Sequence, residues 1–144
     1  MSTLSRREEM AVSSAALSGA PWSGAALTGG VVAAGDLGLK IITGHIGLAM
    51  LSGPVSVGAL VFFAVAAAGA VLGRHDSRAL AWARRNPWKF AIAPALACAA
   101  VVLLVALVLG GSGLFSAVFS AFWHGLVVFG VTGAAGSLRR RPAV

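Results

Sequence analysis

The segment RHDSRALAWARRNPWK, residues 74–89, sets the expected orientation of the whole chain. It contains a single acid, Asp76, and five cations, which are Arg74, Arg78, Arg84, Arg85 and Lys89. Long apolar runs flank this segment on both sides. Because cations are not readily moved across a bilayer, we expect this basic loop to join two membrane spans on the cytoplasmic side.

The composition of the chain indicates an integral membrane protein. Of its 144 residues, 58% are hydrophobic and only 10% are charged, and the mean hydropathy is +0.92. Soluble domains carry roughly 25% charged residues, and a soluble domain of this size could not bury so much apolar surface. We therefore predict an all-α membrane protein, a four-helix bundle of transmembrane helices.

Four apolar segments are long enough to cross the bilayer, and they are residues 22–42, 46–73, 90–110 and 114–138. The shortest of them rise about 31 Å as helices, which is enough to cross a hydrocarbon core of roughly 30 Å. The first segment is the weakest prediction because it contains several glycines together with Asp36 and Lys40, and a re-entrant segment is its alternative. Pro54, in the first third of the second span, is expected to kink that helix, and Pro94 falls in the first turn or so of the third span.

The positions of the cations favour a topology with both termini in the cytoplasm. Ten of the eleven lie in the polar N-terminal tail (residues 1–21), in the basic loop or in the basic C-terminal tail (residues 139–144), and only Lys40 falls on the outer side. The cytoplasmic face is expected to contact anionic lipid, at about 1 kcal/mol per basic residue. These contacts are assigned to Arg74, Arg78, Arg84, Arg85, Lys89, Arg139, Arg140 and Arg141. Nucleic acid is the less favoured partner for this charge.

The two halves of the chain resemble each other at an offset of about 66 residues. Pro21-Trp22 opens the first half and Pro87-Trp88 opens the second. Six positions near the ends of the halves also agree: Gly58, Val61, Phe62, Ala67, Ala68 and Gly69 match Gly125, Val128, Phe129, Ala134, Ala135 and Gly136. Two tandem helical hairpins, both opening towards the cytoplasm, explain this pattern. In a chain so rich in Ala, Gly and Val, chance similarity is the alternative.

A polar stripe runs along the fourth span. Ser112, Ser116, Ser120 and His124 are spaced by four residues, so they share one helix face, and Thr132 continues the line. Such a face is expected to avoid lipid and to look into the bundle.

Asp36 and Lys40 form an i,i+4 pair of opposite charge in the first span, where Thr28 lies on the same stripe. In a functional interpretation, Asp36 and His124 form a proton or ion relay, with His45 as another possible neighbour of Asp36. In a structural interpretation, which we favour, Lys40 neutralises Asp36 near the outer interface, and His124 hydrogen-bonds a serine or a carbonyl group across the bundle.

A ridge of small residues on the first span predicts close helix packing. Its members are four residues apart, and they are Ala26, Gly30, Ala34 and Gly38. Ridges of this kind let helix backbones approach closely in lipid. The partner is either another span of the same chain or a separate chain, and we expect Gly30→Leu to disrupt the association.

The sequence lacks the motifs of an enzyme. It has no Gly-x-Ser-x-Gly elbow, no HExxH, no phosphate-binding loop and no pattern of metal ligands. Its one cysteine, Cys98, lies in an apolar run and is interpreted as a packing residue. No cofactor is expected.

Two functions remain for a chain of this kind. The first is a small non-enzymatic membrane protein that acts through helix packing, as an oligomer or as an accessory subunit of a membrane complex. The alternative is a small oligomeric channel or an ion-coupled transporter that uses the face formed by Asp36, Ser116, Ser120 and His124. Abundant Ala, Gly, Val and Arg point to a bacterial plasma membrane.

Overall fold

The computed structural model describes Arg7 and residues 20–44, 47–72, 82–83, 85–109 and 113–138. These residues form helices and turns and include no strand. Four of the helices are long and apolar enough to cross a membrane, which confirms that part of the predicted fold class. They are α1 (Trp22–Ile42), α2 (Ser52–Leu72), α3 (Pro87–Val108) and α4 (Leu114–Leu138).

Helix α1 ends at a glycine that adopts a left-handed conformation. The backbone N–H of Thr43 donates to the carbonyl of Leu39 (3.0 Å), and that of Gly44 donates to Ile41 (3.1 Å). Gly44 has a φ of +78°, which glycine tolerates because it lacks a Cβ. The last carbonyl groups of the helix are satisfied in this way before the chain turns towards α2.

The start of α2 differs from the prediction of a kink at Pro54. A short 3₁₀ helix covers Leu48–Leu51, and the α-helix begins only at Ser52. Pro54 therefore lies in the first turn of α2, where a missing N–H breaks no intrahelical hydrogen bond. Pro87 is the first residue of α3 for the same reason, so this helix begins three residues before Phe90. It continues through Pro94.

The helices pack as two antiparallel pairs joined through α2. Pro21 at the start of α1 lies against Gly69 near the end of α2, and Lys40 at the other end of α1 lies over Gly53. In the same way, Pro87 at the start of α3 lies against Gly136 near the end of α4. Helix α2 also contacts both α3 and α4, whereas α1 makes no comparable contact with either of them among the described residues.

Small residues allow close approach of the backbones within each pair. A Cβ added to Gly58 would lie 2.8 Å from the Cβ of Ala33 and 3.0 Å from the carbonyl oxygen of Gly29. A Cβ added to Gly125 would lie 3.1 Å from both the Cβ of Ala99 and the carbonyl oxygen of Ala95. At these separations helices associate through backbone packing rather than through large interdigitating side chains.

Two apolar clusters form the core. One joins Ala67 and Val71 of α2 to Phe90 of α3, with buried Ala83 from the segment between them. The other joins Cys98 and Val102 of α3 to Ala121 and Val128 of α4, and Leu60, Phe63 and Ala64 of α2 pack against it. The predicted packing role of Cys98 agrees with this position, because its side chain is free and completely buried.

Candidate functional site

A cavity of about 230 Å³ lies between α2, α3 and α4. Its polar lining comes from Ser52 and Ser56 on α2 and from Ser116, Ser120 and His124 on α4. Ala106 of α3 contributes to the apolar part of the wall. The polar stripe of the fourth span therefore faces a second set of hydroxyl groups across this cavity.

His124 is held by its own helix. Its Nδ1 atom lies 2.7 Å from the carbonyl oxygen of Ser120 and 3.5 Å from the hydroxyl oxygen of the same residue. A carbonyl oxygen accepts only, so Nδ1 carries the proton and donates it in this contact.

Asp36 and Lys40 form an ion pair on α1. Lys40 Nζ lies 3.3 Å from Asp36 Oδ2, and about a third of each side chain is exposed. Lys40 Nζ is also 3.5 Å from the carbonyl oxygen of Met50, at the limit of a hydrogen bond. It reaches this place because Gly53 has no side chain, since a Cβ there would collide with the ammonium group. Each charge is thus partly neutralised within the α1–α2 pair.

The structure does not bring Asp36 and His124 into a described contact. Asp36 pairs with Lys40 on the α1 side of Gly53, whereas His124 bonds Ser120 on α4. Thr28, on the stripe of α1, donates its hydroxyl proton to the carbonyl of Gly24 (2.8 Å). The ion pair matches the structural interpretation of Asp36, whereas His124 bonds its own helix and not a group across the bundle. The relay remains a prediction. His45 and Ser112 lie outside the described residues.

Sequence reasoning missed Ser52 and Ser56, which form the second polar wall of the cavity. Their spacing of four residues at the start of the second apolar segment was the available signal. Thr132, which was placed on the polar stripe, is completely buried, and its hydroxyl oxygen has no hydrogen-bond partner among the described residues. It belongs to the packed core and does not line the cavity.

The ridge of small residues on α1 does not contact α2. Helix α1 instead packs through Ala25, Gly29 and Ala33, which lie one position earlier in the sequence. A side chain on Gly30 or Gly38 would meet nothing within 4 Å. Ala26 and Ala34 are exposed as well. The ridge therefore remains a prediction about a partner outside the chain.

The described part of the basic face lies at one end of the bundle. Arg85 and Lys89 are exposed near the start of α3, where Trp22 and Trp88 are 39% and 50% exposed. Interfacial tryptophan residues prefer this head-group level in membranes. The other predicted lipid contacts lie outside the described residues, namely Arg74, Arg78, Arg84, Arg139, Arg140 and Arg141.

Within the described ranges, no three His, Cys, Asp or Glu side chains are grouped so as to hold a metal ion. Comparison with protein families, with curated proteins and with solved structures finds no match to this chain. Arguments about function therefore rest on the bundle and on its cavity.

Proposed function

We propose that this chain is a small non-enzymatic, multi-pass membrane protein that acts through helix packing, as an oligomer or as an accessory subunit of a membrane complex. The observation that carries the proposal is the exposure of α1. Only Ala25 and Gly29 of α1 are buried, against seven residues of α2, eight of α3 and seven of α4. Its remaining glycines face open space, and exposed small residues on a membrane helix favour association with another helix.

The proposal includes two tandem helical hairpins, α1–α2 and α3–α4. Three contacts of the first pair recur at equivalent positions of the second. The Pro21 contact with Gly69 corresponds to that of Pro87 with Gly136. The rings of Trp22 and Phe62 are 5.7 Å apart, and those of Trp88 and Phe129 are 5.3 Å apart.

The third recurring contact is the close backbone approach in the middle of each pair. Gly58 against Gly29 and Ala33 corresponds to Gly125 against Ala95 and Ala99. The offset is 66 residues between α1 and α3 and 67 residues between α2 and α4. A shared register of contacts supports duplication in a way that shared composition does not, because Ala-rich and Gly-rich helices can pack in many registers.

We further propose that both termini lie in the cytoplasm of a bacterial cell and that the bundle crosses its plasma membrane. The distribution of cations supports the orientation, and the composition supports the bacterial origin. The test of the orientation is the reaction of single cysteines with a membrane-impermeant maleimide on intact cells. Cysteines replacing Ser5 and Ala143 should be protected, and a cysteine replacing Thr43 should react.

The test of the function is association in the membrane. Two copies of the chain with different affinity tags are expressed together, solubilised in mild detergent and captured through one tag. Recovery of the second tag indicates an oligomer, and recovery of one stoichiometric foreign membrane protein indicates an accessory subunit. A captured chain that retains neither would contradict the proposal.

The cavity favours a second candidate function, an oligomeric channel or ion-coupled transporter. Its lining combines four serine hydroxyl groups with His124, so it offers polar contacts inside an apolar bundle. In proteoliposomes loaded with a pH-sensitive dye, His124→Ala and Asp36→Asn should abolish proton flux. Thr28→Val is the control, because that hydroxyl group bonds its own helix away from the cavity. Normal flux in both variants would remove this candidate.

A further inference from the structure

The two hairpins have the same internal contacts but unequal external ones. Between the hairpins, α2 of the first hairpin packs on α3 and α4 of the second. The equivalent helix of the second hairpin is α4, and among the described residues no further pair of helices packs on α4 in the way that α3 and α4 pack on α2. Each of the two surfaces that form this interface therefore has an equivalent elsewhere in the chain. Only one pair of these surfaces is in contact among the described residues.

The receiving surface of this interface is a row of residues on α3. Phe90, Pro94, Cys98 and Val102 are spaced by four, and all four side chains are fully buried. Their equivalents on α1, at the offset of 66 residues, are Gly24, Thr28, Val32 and Asp36. Gly24 and Thr28 are exposed, and Val32 and Asp36 are only partly buried.

The inserting surface shows the same difference. On α2, Val71 is completely buried in the core cluster that contains Phe90, and Ala64 packs against the cluster of Cys98 and Val102. Their equivalents on α4 are Leu138, which is 66% exposed, and Val131, which is 43% exposed. Ala67, also completely buried, corresponds to Ala134, which is exposed.

We infer that a second copy of this chain occupies these surfaces, with α4 of one copy packed on the α1–α2 pair of the next. The contact repeats the interface between the two hairpins of a single chain. It is heterologous, since the two surfaces differ, and it generates a ring if the rotation closes and a filament if it does not. This inference rests on the proposed association through helix packing and states which faces meet.

Residue sizes are complementary in this arrangement. Within the chain, the large Phe90 lies in a cluster with the small residues Ala67 and Val71. At the contact between copies, Gly24 occupies the position equivalent to Phe90, and Leu138 occupies the position equivalent to Val71. The larger side chain of the pair is therefore on α4, whereas within the chain it is on α3. In the same arrangement, Val127 of α4, which is the equivalent of Leu60, lies at the level of Asp36 in the next copy.

The test is disulfide crosslinking between copies in native membranes, with Cys98 replaced by alanine. Gly24→Cys and Leu138→Cys are placed on separate, differently tagged chains that are expressed together, because these positions correspond to Phe90 and Val71. We expect a crosslinked heterodimer. The control replaces Gly24→Cys with Ala26→Cys, an exposed position two residues further along α1 and roughly 160° around its axis, and it should not crosslink. A chain that carries both Gly24→Cys and Leu138→Cys should form a ladder of multimers.

The outcomes separate this inference from the function on which it rests. If a single-cysteine chain crosslinks with itself and not with the other chain, the interface is two-fold. This result overturns the head-to-tail arrangement but remains consistent with an oligomer. Equal crosslinking through Ala26→Cys overturns the assigned face. Absence of all crosslinks, with capture of one foreign subunit in the tag experiment, overturns the second copy as the occupant. If no crosslink forms and the tag experiment captures neither a second copy nor a foreign subunit, the proposed function is overturned as well.

Discussion

At the scale of single residues, glycine matters here where two backbones approach closely. Sequence reasoning identified α1 as glycine-rich but chose the row of Gly30, whereas the row of Gly29 packs on α2. The two rows are one residue apart and equally small, so spacing alone does not distinguish them. The choice depends on how Gly58 fits between Gly29 and Ala33, which is a property of two helices and is not encoded in either one.

A matched pair of glycine substitutions tests this assignment. Gly58→Ala places a methyl group 2.8 Å from the Cβ of Ala33 and should destabilise the protein, by about 1–3 kcal/mol as for other overpacked sites. Gly30→Ala meets nothing within 4 Å, and it should be neutral or should stabilise α1 by up to about 1 kcal/mol. Thermal unfolding in detergent measures both. Equal effects of the two substitutions would show that the packed row is misassigned.

Thr132 provides a second test at this scale. Its hydroxyl oxygen is buried and has no partner among the described residues, and an unpaired buried polar group costs roughly 1–3 kcal/mol. Thr132→Val keeps the shape and removes the hydroxyl group, so we expect a higher melting temperature. Ser137→Ala is the control, because Ser137 donates to the carbonyl of Gly133 at 2.8 Å. A lower melting temperature for Thr132→Val would mean that this hydroxyl group has a partner.

At the scale of elements, the apolar runs predicted the number and class of the helices, because length and hydropathy suffice for that. The start of α2 could not be predicted, since a 3₁₀ turn over Leu48–Leu51 and an α-helix share the same apolar composition. The polar stripe of α4 was visible from its spacing. Its counterpart, Ser52 and Ser56, was not recognised, because only the packing of α2 beside α4 joins the two walls.

Helix α1 has two exposed flanks, and one substitution distinguishes them. The ridge of Ala26, Gly30 and Gly38 lies on the other side of the α2 contact from the row that contains Gly24. If copies join head to tail through α4, Gly30→Leu leaves the crosslink between Gly24→Cys and Leu138→Cys unchanged. If copies join through the ridge predicted from the sequence, the crosslink is lost. The measurement compares the yield of crosslinked heterodimer between chains that keep Gly30 and chains that carry Gly30→Leu.

At the scale of the whole molecule, the central claim is that this chain acts in association with other helices. The most direct test is the native mass of the protein, extracted with its surrounding lipid and measured without dissociation. We predict a defined multiple of the 14.4 kDa chain, or one fixed stoichiometry with a partner subunit. A single chain, seen at every protein concentration and lipid ratio, would contradict the account.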